Sequence, residues 1–199
     1  MTADGRVVEL WLFPVKSMSG DTVAVADLDA GGLVGDRSWT VADDTGALVT
    51  AGREPRLREA VARLVDGDLV LDLPGGATGL DREEADAALS AWLGRAVHLE
   101  HRAGRGYVDV APVHLVSRGS IADVVHAQDC DACDVKAPRA NVVLEVATGA
   151  GAERGWVGRE VEAGSSRLTV VRVPQHCLGV YADVSRRGRL AVGDEVELR

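Results

Sequence analysis

The spacing of apolar and polar residues predicts strands along most of the chain and helix in few places. The opening run VVELWLFPVK mixes period-two alternation with β-branched and aromatic side chains and stops at Pro14, so it reads as a strand entering a loop from Lys16 to Asp21. TVAVADLD alternates cleanly, Gly31-Gly32 marks a turn, and in GDRSWTVADDTGALVT two strand-like runs flank Asp44-Thr45-Gly46 as a hairpin. PRLREAVARL, residues 55–64, has proline in its first turn and apolar residues at helical spacing, which fits a short helix or a turn plus strand. DGDLVLDLPGG is another strand between turns. DREEADAALSAWL, Asp81 to Leu93, is the best helix: acids in the first turn, Ala and Leu inside, Gly94 as stop, and Ala85, Ala88, Leu89 and Trp92 on one face.

RAVHLEH predicts a strand, and a Gly- and Arg-rich loop follows it. In PVHLVSRGSIADVVHA, Ser117 or Ser120 can cap a short helix running to about Ala127, Ser120 with Asp123 matching a capping box. From Asn141 onward NVVLEV, GWVGREVEAG, SSRLTVVRV, CLGVYADV and GDEVELR read as strands separated by glycine-containing turns. The second half is therefore expected to form a β-barrel or closed sheet with one inserted helix. No internal repeat or linker is present, although Gly104-Arg105-Gly106 is a candidate seam between halves.

Composition narrows the classes. At 199 residues the chain suffices for one sizeable core or two small lobes. A net charge of −9 with 46% hydrophobic residues describes a soluble globular protein rather than a disordered one. The acidic total, without a basic run, argues against a nucleic-acid surface or a polybasic membrane patch. The N-terminus lacks the basic and long apolar segments of a signal peptide, and no run of about 18 apolar residues occurs, so a cytoplasmic location off the membrane is expected. Three cysteines, Cys130, Cys133 and Cys177, cannot all pair within one chain, which agrees with a reducing compartment. Only Lys16 and Lys136 are lysines among 22 basic residues, so Lys16 in a Pro-Val-Lys-Ser turn points to a need for a compact ammonium charge there.

Cys177 lies in Val173-Pro174-Gln175-His176-Cys177-Leu178-Gly179, where proline ends a β-run and glycine follows, so the thiol is presented near a strand end. It reads as a small core hydrophobe, as a nucleophile, or as the thiolate ligand of a soft transition metal. His176 in extended backbone points to the opposite face and makes a poor dyad partner; a more distant imidazole such as His114 would be needed for a thiol hydrolase. His126, Cys130 and Cys133 have the spacing of part of a zinc site or of a redox dithiol, without a second ligand pair. Lys16-Ser17 after a strand, Asp36-Arg37 opening one, Ser117 and Ser120 at a helix start, and Arg139 beside Asn141 are together the groups a phosphate requires. For Arg37, Asp36 is also an obvious ion-pair partner.

The order of these pieces carries a resemblance. P-V-K-S at 14–17, G-D-R-S-W at 35–39, V-T-A-x-x-E-P-R-L at 49–57, H-L-V-S-x-x-S at 114–120, P-R-A-N at 138–141, G-W-V-G at 155–158, H-C at 176–177 and G-D-E-V at 193–196 span almost the whole chain. It resembles the MOSC-domain family in the form with an N-terminal β-barrel lobe, the group containing the mitochondrial amidoxime-reducing component. The resemblance implies a β-rich α+β fold, with an N-terminal lobe over residues 1–100 packed on a MOSC β-barrel over 101–199 with a few short helices. It implies a molybdenum cofactor (Mo-molybdopterin) held between the two, with Cys177 as metal ligand, Lys16, Ser17 and Arg37 binding it from the first lobe, Ser117 and Ser120 binding phosphate, and Arg139 with Asn141 completing the cradle.

The chain departs from the family in having His176 where arginine usually precedes the ligand cysteine, in displacing R-x-R-P-N to Lys136-Ala137-Pro138-Arg139-Ala140-Asn141, in Gly52-Arg53 replacing an Arg-Gln order, and in its shorter length. The implied activity is reduction of N-hydroxylated or N-oxygenated small molecules, with His176 or Asp183 available as proton donor. Electrons would come from a separate flavin reductase or ferredoxin-like protein, because three cysteines cannot supply the four thiolates of an iron–sulfur cluster. The rival expectation is a non-catalytic carrier of the cofactor or of persulfide sulfur on Cys177, and a third is a zinc protein organised by His126, Cys130 and Cys133.

Overall fold

The computed structural model describes residues 4–126, 139–146, 149–175 and 177–199, with residues 124–126 described through their backbone. Contacts gather the chain into two units, each discontinuous in sequence: the chain up to Trp11 with Thr22–Val34 and Asp109–Arg199, and Leu12–Asp21 with Gly35–Val108. A boundary near residue 100 divides the elements by order along the chain, whereas these units divide them by packing.

The first unit is a closed barrel. Its strands are β1 (Gly5–Leu12), β10 (Val113–Ser117), β11 (Val142–Val146), β12 (Glu160–Ala163), β13 (Ser166–Arg172), β14 (Val180–Arg186) and β16 (Glu195–Leu198). They run in the order β11-β10-β14-β13-β12-β16-β1, and β1 pairs back onto β11, which closes the ring of seven. β10 and β11 are the parallel neighbours, and parallel strands need a crossover, supplied here by α2 (Arg118–His126). The inserted helix expected from the sequence is this crossover. Val7, Leu10, Leu115, Leu144, Leu168 and Val180 are fully or almost fully buried. In β1 a register shift between Val7 and Glu9 brings Val7 and Leu10, three positions apart, into the buried set despite the two-residue period of a strand. Outside the ring, β2 (Asp21–Val23) flanks β1, and β3 (Val25–Asp29), β4 (Gly32–Leu33) and β15 (Gly188–Ala191) form a small sheet in the order β15-β3-β4.

The second unit holds β5 (Trp39–Asp43), β6 (Leu48–Val49) and β9 (Val97–His101) in the order β6-β5-β9, the hairpin β7 (Val61–Val65) and β8 (Asp68–Asp72), and α1 (Arg82–Leu93). The α1 boundaries follow local chemistry. Asp81 accepts from the N–H groups of Glu83 and Glu84 at 2.9 and 3.0 Å, and Gly94 ends the helix in the left-handed region at φ 70°. Its buried Ala85, Leu89 and Leu93 pack with Met18, Leu57, Leu71 and Leu99 in one core, and Ala88 and Trp92 lie against it. Residues 55–64 resolve as the turn-plus-strand alternative: a 3-10 turn at Pro55–Glu59, then β7. GWVGREVEAG is not strand throughout, because Gly155 and Trp156 end a 3-10 turn, Ala152–Trp156, before β12 begins. The β-rich α+β class is thus realised, with two α-helices among the described residues, neither long and apolar enough to cross a membrane.

Candidate functional site

Lys16 and Ser17 sit in a four-residue turn that Met18 closes by donating its N–H to the Val15 carbonyl at 3.2 Å. Ser17, third in the turn, is buried at φ 73°, a conformation that a type II turn reserves for glycine or asparagine. The turn is anchored by a parallel bridge in which Lys16 donates its N–H to the Trp39 carbonyl at 2.8 Å and Trp39 donates to Pro14 at 3.0 Å. Arg37 is also left-handed, at φ 48°, between its N–H donated to Phe13 (2.7 Å) and its carbonyl accepting from Tyr107 (2.8 Å). Its guanidinium pairs with Asp36 and lies over the Phe13 ring, 5.2 Å from the centroid. The Asp36 carboxylate, almost wholly buried, also accepts from the Phe13 N–H at 2.9 Å. The Asp36–Arg37 ion pair anticipated from the sequence therefore exists.

In the other unit Arg139 is left-handed at φ 50°. Asn141, fully buried, ties strands together: its Oδ1 accepts from the His114 N–H at 3.2 Å, and its backbone exchanges bonds with His114 and Trp11. Ser117 rather than Ser120 caps α2, since Ser120 donates its N–H to the Ser117 Oγ at 3.1 Å. The two hydroxyls are turned inward. Ser117 Oγ donates to Ser120 Oγ at 2.9 Å, and Ser120 Oγ donates to Oε1 of Glu153 at 2.6 Å. The same Oε1 accepts from the Ser117 N–H at 3.1 Å, and Gly151 donates its N–H to Ser120 Oγ at 2.8 Å. Glu153 is fully buried, and its Oε2 has no hydrogen-bond partner. The donors that the sequence offers to a phosphate at this helix start are thus facing a carboxyl group of the chain itself. Nothing local announced Glu153: it sits in a polar GAERGW stretch and reaches Ser117 across 36 positions.

Cys177 is half-buried just before β14 and Asp183 is exposed on that strand, while His176, Cys130 and Cys133, and the side chain of His126, lie outside the described residues. Two contacts from β10 fix the segment after the thiol. Gly179, at φ 76°, lies so close that a Cβ there would stand 2.0 Å from the Leu115 carbonyl oxygen. His114, 4% exposed, donates from Nε2 to the Leu178 carbonyl at 2.7 Å with its ring against Tyr181, centroids 4.9 Å apart. That nitrogen is committed to Leu178 and is not directed to the thiol as a base. Among the described residues no group of three His, Cys, Asp or Glu is placed to hold a metal ion by itself.

Taken unit by unit, the side chains suit the chemistry of a molybdenum cofactor: the barrel unit carries a partly accessible thiol for a soft metal and the cation Arg139, and the other unit carries the cations Lys16 and Arg37 for an anion. Ser117, Ser120 and Asn141 fit as buried supports and not as open donors.

Comparison with known proteins bears on these residues. The MOSC N-terminal beta barrel domain matches residues 4–101. Mitochondrial amidoxime-reducing component 1 of Homo sapiens is 43% identical over 68 residues, 32% of this chain and 20% of that protein. Mitochondrial amidoxime reducing component 2 of Bos taurus is 39% identical over 75 residues, 36% of this chain and 22% of that protein. The match spans about a fifth of the length of these curated relatives. The crystal structure of the YUAD protein from Bacillus subtilis superposes with a TM-score of 0.50 at 13% identity, covering 98% of this chain and 94% of that one, so the fold is shared along nearly the whole length. Residues 4–101, just under half of the chain, are thus similar to the MOSC N-terminal beta barrel domain.

Proposed function

We propose that this protein binds the molybdenum cofactor and, with electrons from a separate donor protein, reduces N-hydroxylated or N-oxygenated small molecules. One observation carries the reading. Of four non-glycine residues with positive φ among those described, Asp66 belongs to the Asp66-Gly67 turn, and the other three, Ser17, Arg37 and Arg139, stand at the positions where the resemblance puts cofactor-binding groups. Such backbone costs about 1–3 kcal/mol per residue and persists where the surrounding fold over-determines it, most often at ligand sites.

In this reading the Cys177 thiolate is the protein ligand to the metal, and Lys16, Arg37 and Arg139 hold the pterin and its phosphate. Ser17 presents its backbone and hydroxyl beside Lys16. Ser117, Ser120 and Asn141 shape the starts of α2 and β11 from behind. The bound cofactor supplies the two-electron chemistry that removes oxygen from nitrogen. His176 holds the proton that the departing oxygen needs, and its titratable ring makes that role depend on pH where an arginine would not. The donor is a flavin reductase or ferredoxin-like protein, and a reducing compartment such as the cytoplasm keeps Cys177 available. Support comes from the family match and from relatives whose names record amidoxime reduction.

The test is elemental analysis of protein made in a host competent for cofactor synthesis, beside Cys177→Ala. Near-stoichiometric molybdenum, lost in the variant, is expected, followed by reduction of an amidoxime with a chemical electron donor. Cyanide-labile sulfur on Cys177 with no molybdenum would overturn the reading in favour of a sulfur carrier.

A further inference from the structure

We infer that His114 is the positioning residue for Cys177, holding the thiol in place through the Leu178 carbonyl. β10 is buried on both faces, with all five of its residues, Val113 to Ser117, removed from solvent. A strand like this is expected to be apolar throughout, and an imidazole in its middle costs desolvation unless its polar atoms are used. His114 uses one of them on a carbonyl outside the strand ladder, 64 positions away and one residue past the cysteine. A carbonyl oxygen can only accept, so the contact requires a proton on Nε2 of His114.

The strand ladder does not otherwise hold this segment. β10 and β14 pair from Leu115↔Val180 through Val113↔Ala182, so register bonding begins at Val180 and stops short of Cys177, Leu178 and Gly179. From β10, Gly179 pressed on the Leu115 carbonyl and the His114 bond to Leu178 both act on this segment. The first is a steric fit that admits sliding, and the second is directional. Tyr181 covers the ring and Asn141 holds the His114 backbone, so the imidazole itself has little freedom. The direction and reach of the Cys177 side chain are therefore set by His114 through the backbone of the next residue, Leu178.

The functional meaning of this role rests on the reading of Cys177 as the working thiol, but its test involves no molybdenum, so either idea can fail alone. In the purified full chain, the alkylation rate of Cys177 by iodoacetamide is followed by peptide mass spectrometry, with Cys130 and Cys133 as internal references. His114→Leu is expected to raise the Cys177 rate about tenfold, the change that loss of one net hydrogen bond makes in a local opening equilibrium. His114→Gln, whose amide nitrogen reaches the same carbonyl, is expected to restore it to within about threefold of the natural chain, whereas a residue that merely filled space would be replaced as well by Leu. A Cys177 rate within twofold of the natural chain in a folded His114→Leu protein would overturn the proposal. If the variants do not fold, nitrogen NMR of the imidazole in the unaltered protein decides: a proton on Nε2 is required, and a proton on Nδ1 alone refutes the bond.

Discussion

Removing the Glu153 carboxyl group tests the most unusual part of the barrel. Glu153→Ala deletes Oε1, which leaves the buried Ser117 N–H and the Ser120 hydroxyl without their acceptor. Each orphaned group costs about 1–3 kcal/mol, and the vacated volume adds about 1 kcal/mol, partly recovered as Ser120 turns to another acceptor, so a net loss of about 3–5 kcal/mol follows. For a chain of this length that lowers the melting temperature by roughly 6–20 °C. Glu153→Gln keeps an oxygen in the Oε1 position and exchanges one partnerless group, Oε2, for another, an amide nitrogen, so its loss is about 1 kcal/mol. The assay is thermal unfolding by circular dichroism of the three proteins in one buffer. Formate, small enough to enter the vacated place, is expected to raise the melting temperature of Glu153→Ala and leave the natural chain unmoved. If Gln is as damaging as Ala, the negative charge rather than the acceptor geometry holds the helix start, and the hydrogen-bond argument is refuted. If Ala costs less than about 1 kcal/mol, the network contributes nothing net.

Two further outcomes follow from geometry already given. Gly179→Ala places a Cβ 2.0 Å from the Leu115 carbonyl in left-handed backbone, so the segment must shift: the chain is expected to lose about 2–4 kcal/mol in urea unfolding and to release Cys177 to faster alkylation, and an unchanged midpoint would contradict the close approach. Glu162 is held below the ordinary carboxyl range first by its hydrogen bond from Arg167 and then by that from Arg199. A depressed carboxyl stabilises the fold above its unfolded value of 4.5 and ceases to do so as pH falls through the lower folded value, so the melting-temperature gap between the natural chain and Glu162→Gln should be full near neutrality and close below about pH 4. A gap that persisted at pH 3 would mean that packing rather than charge carries it.

How far the sequence led depended on whether a signal was local. Asp81, the acids behind it and Gly94 bounded α1 because cap and stop act within one turn of the helix they bound. The Asp44-Thr45-Gly46 hairpin was readable for the same reason, the Asp43 side chain accepting from Thr45 and Ala47 across the turn. Residues 55–64 were ambiguous because proline at a first turn suits a 3-10 turn as well as a helix, and the buried Leu57, Ala60 and Ala62 fit either period. The Ser117 cap and the Ser120 alternative differed by three residues, and the choice is made by a hydroxyl whose direction depends on Glu153 far along the chain. The bulge in β1 has no glycine or proline to mark it. At the candidate site the residue types and order were visible, but the left-handed backbone at Ser17, Arg37 and Arg139 was not, since no glycine stands there to announce it. The clamp from His114 to Leu178 joins residues 64 positions apart and leaves no periodicity to detect.

The pairing of β1 has a consequence for how the chain is made. β1 has β2 close behind it in the chain, but it closes the barrel against β11 and β16, so its ring partners arrive only when residues 142–146 and 195–198 have been synthesised. At roughly 5–20 residues per second the wait is about 10–40 s, far longer than the collapse of the strands around it. Through that interval Val7 and Leu10 are apolar side chains without a barrel, while every residue of the other unit's core has emerged by position 108. Translation speed between β1 and β16 is therefore a variable of yield for this protein, and a slow stretch there exposes β1 to aggregation or chaperones.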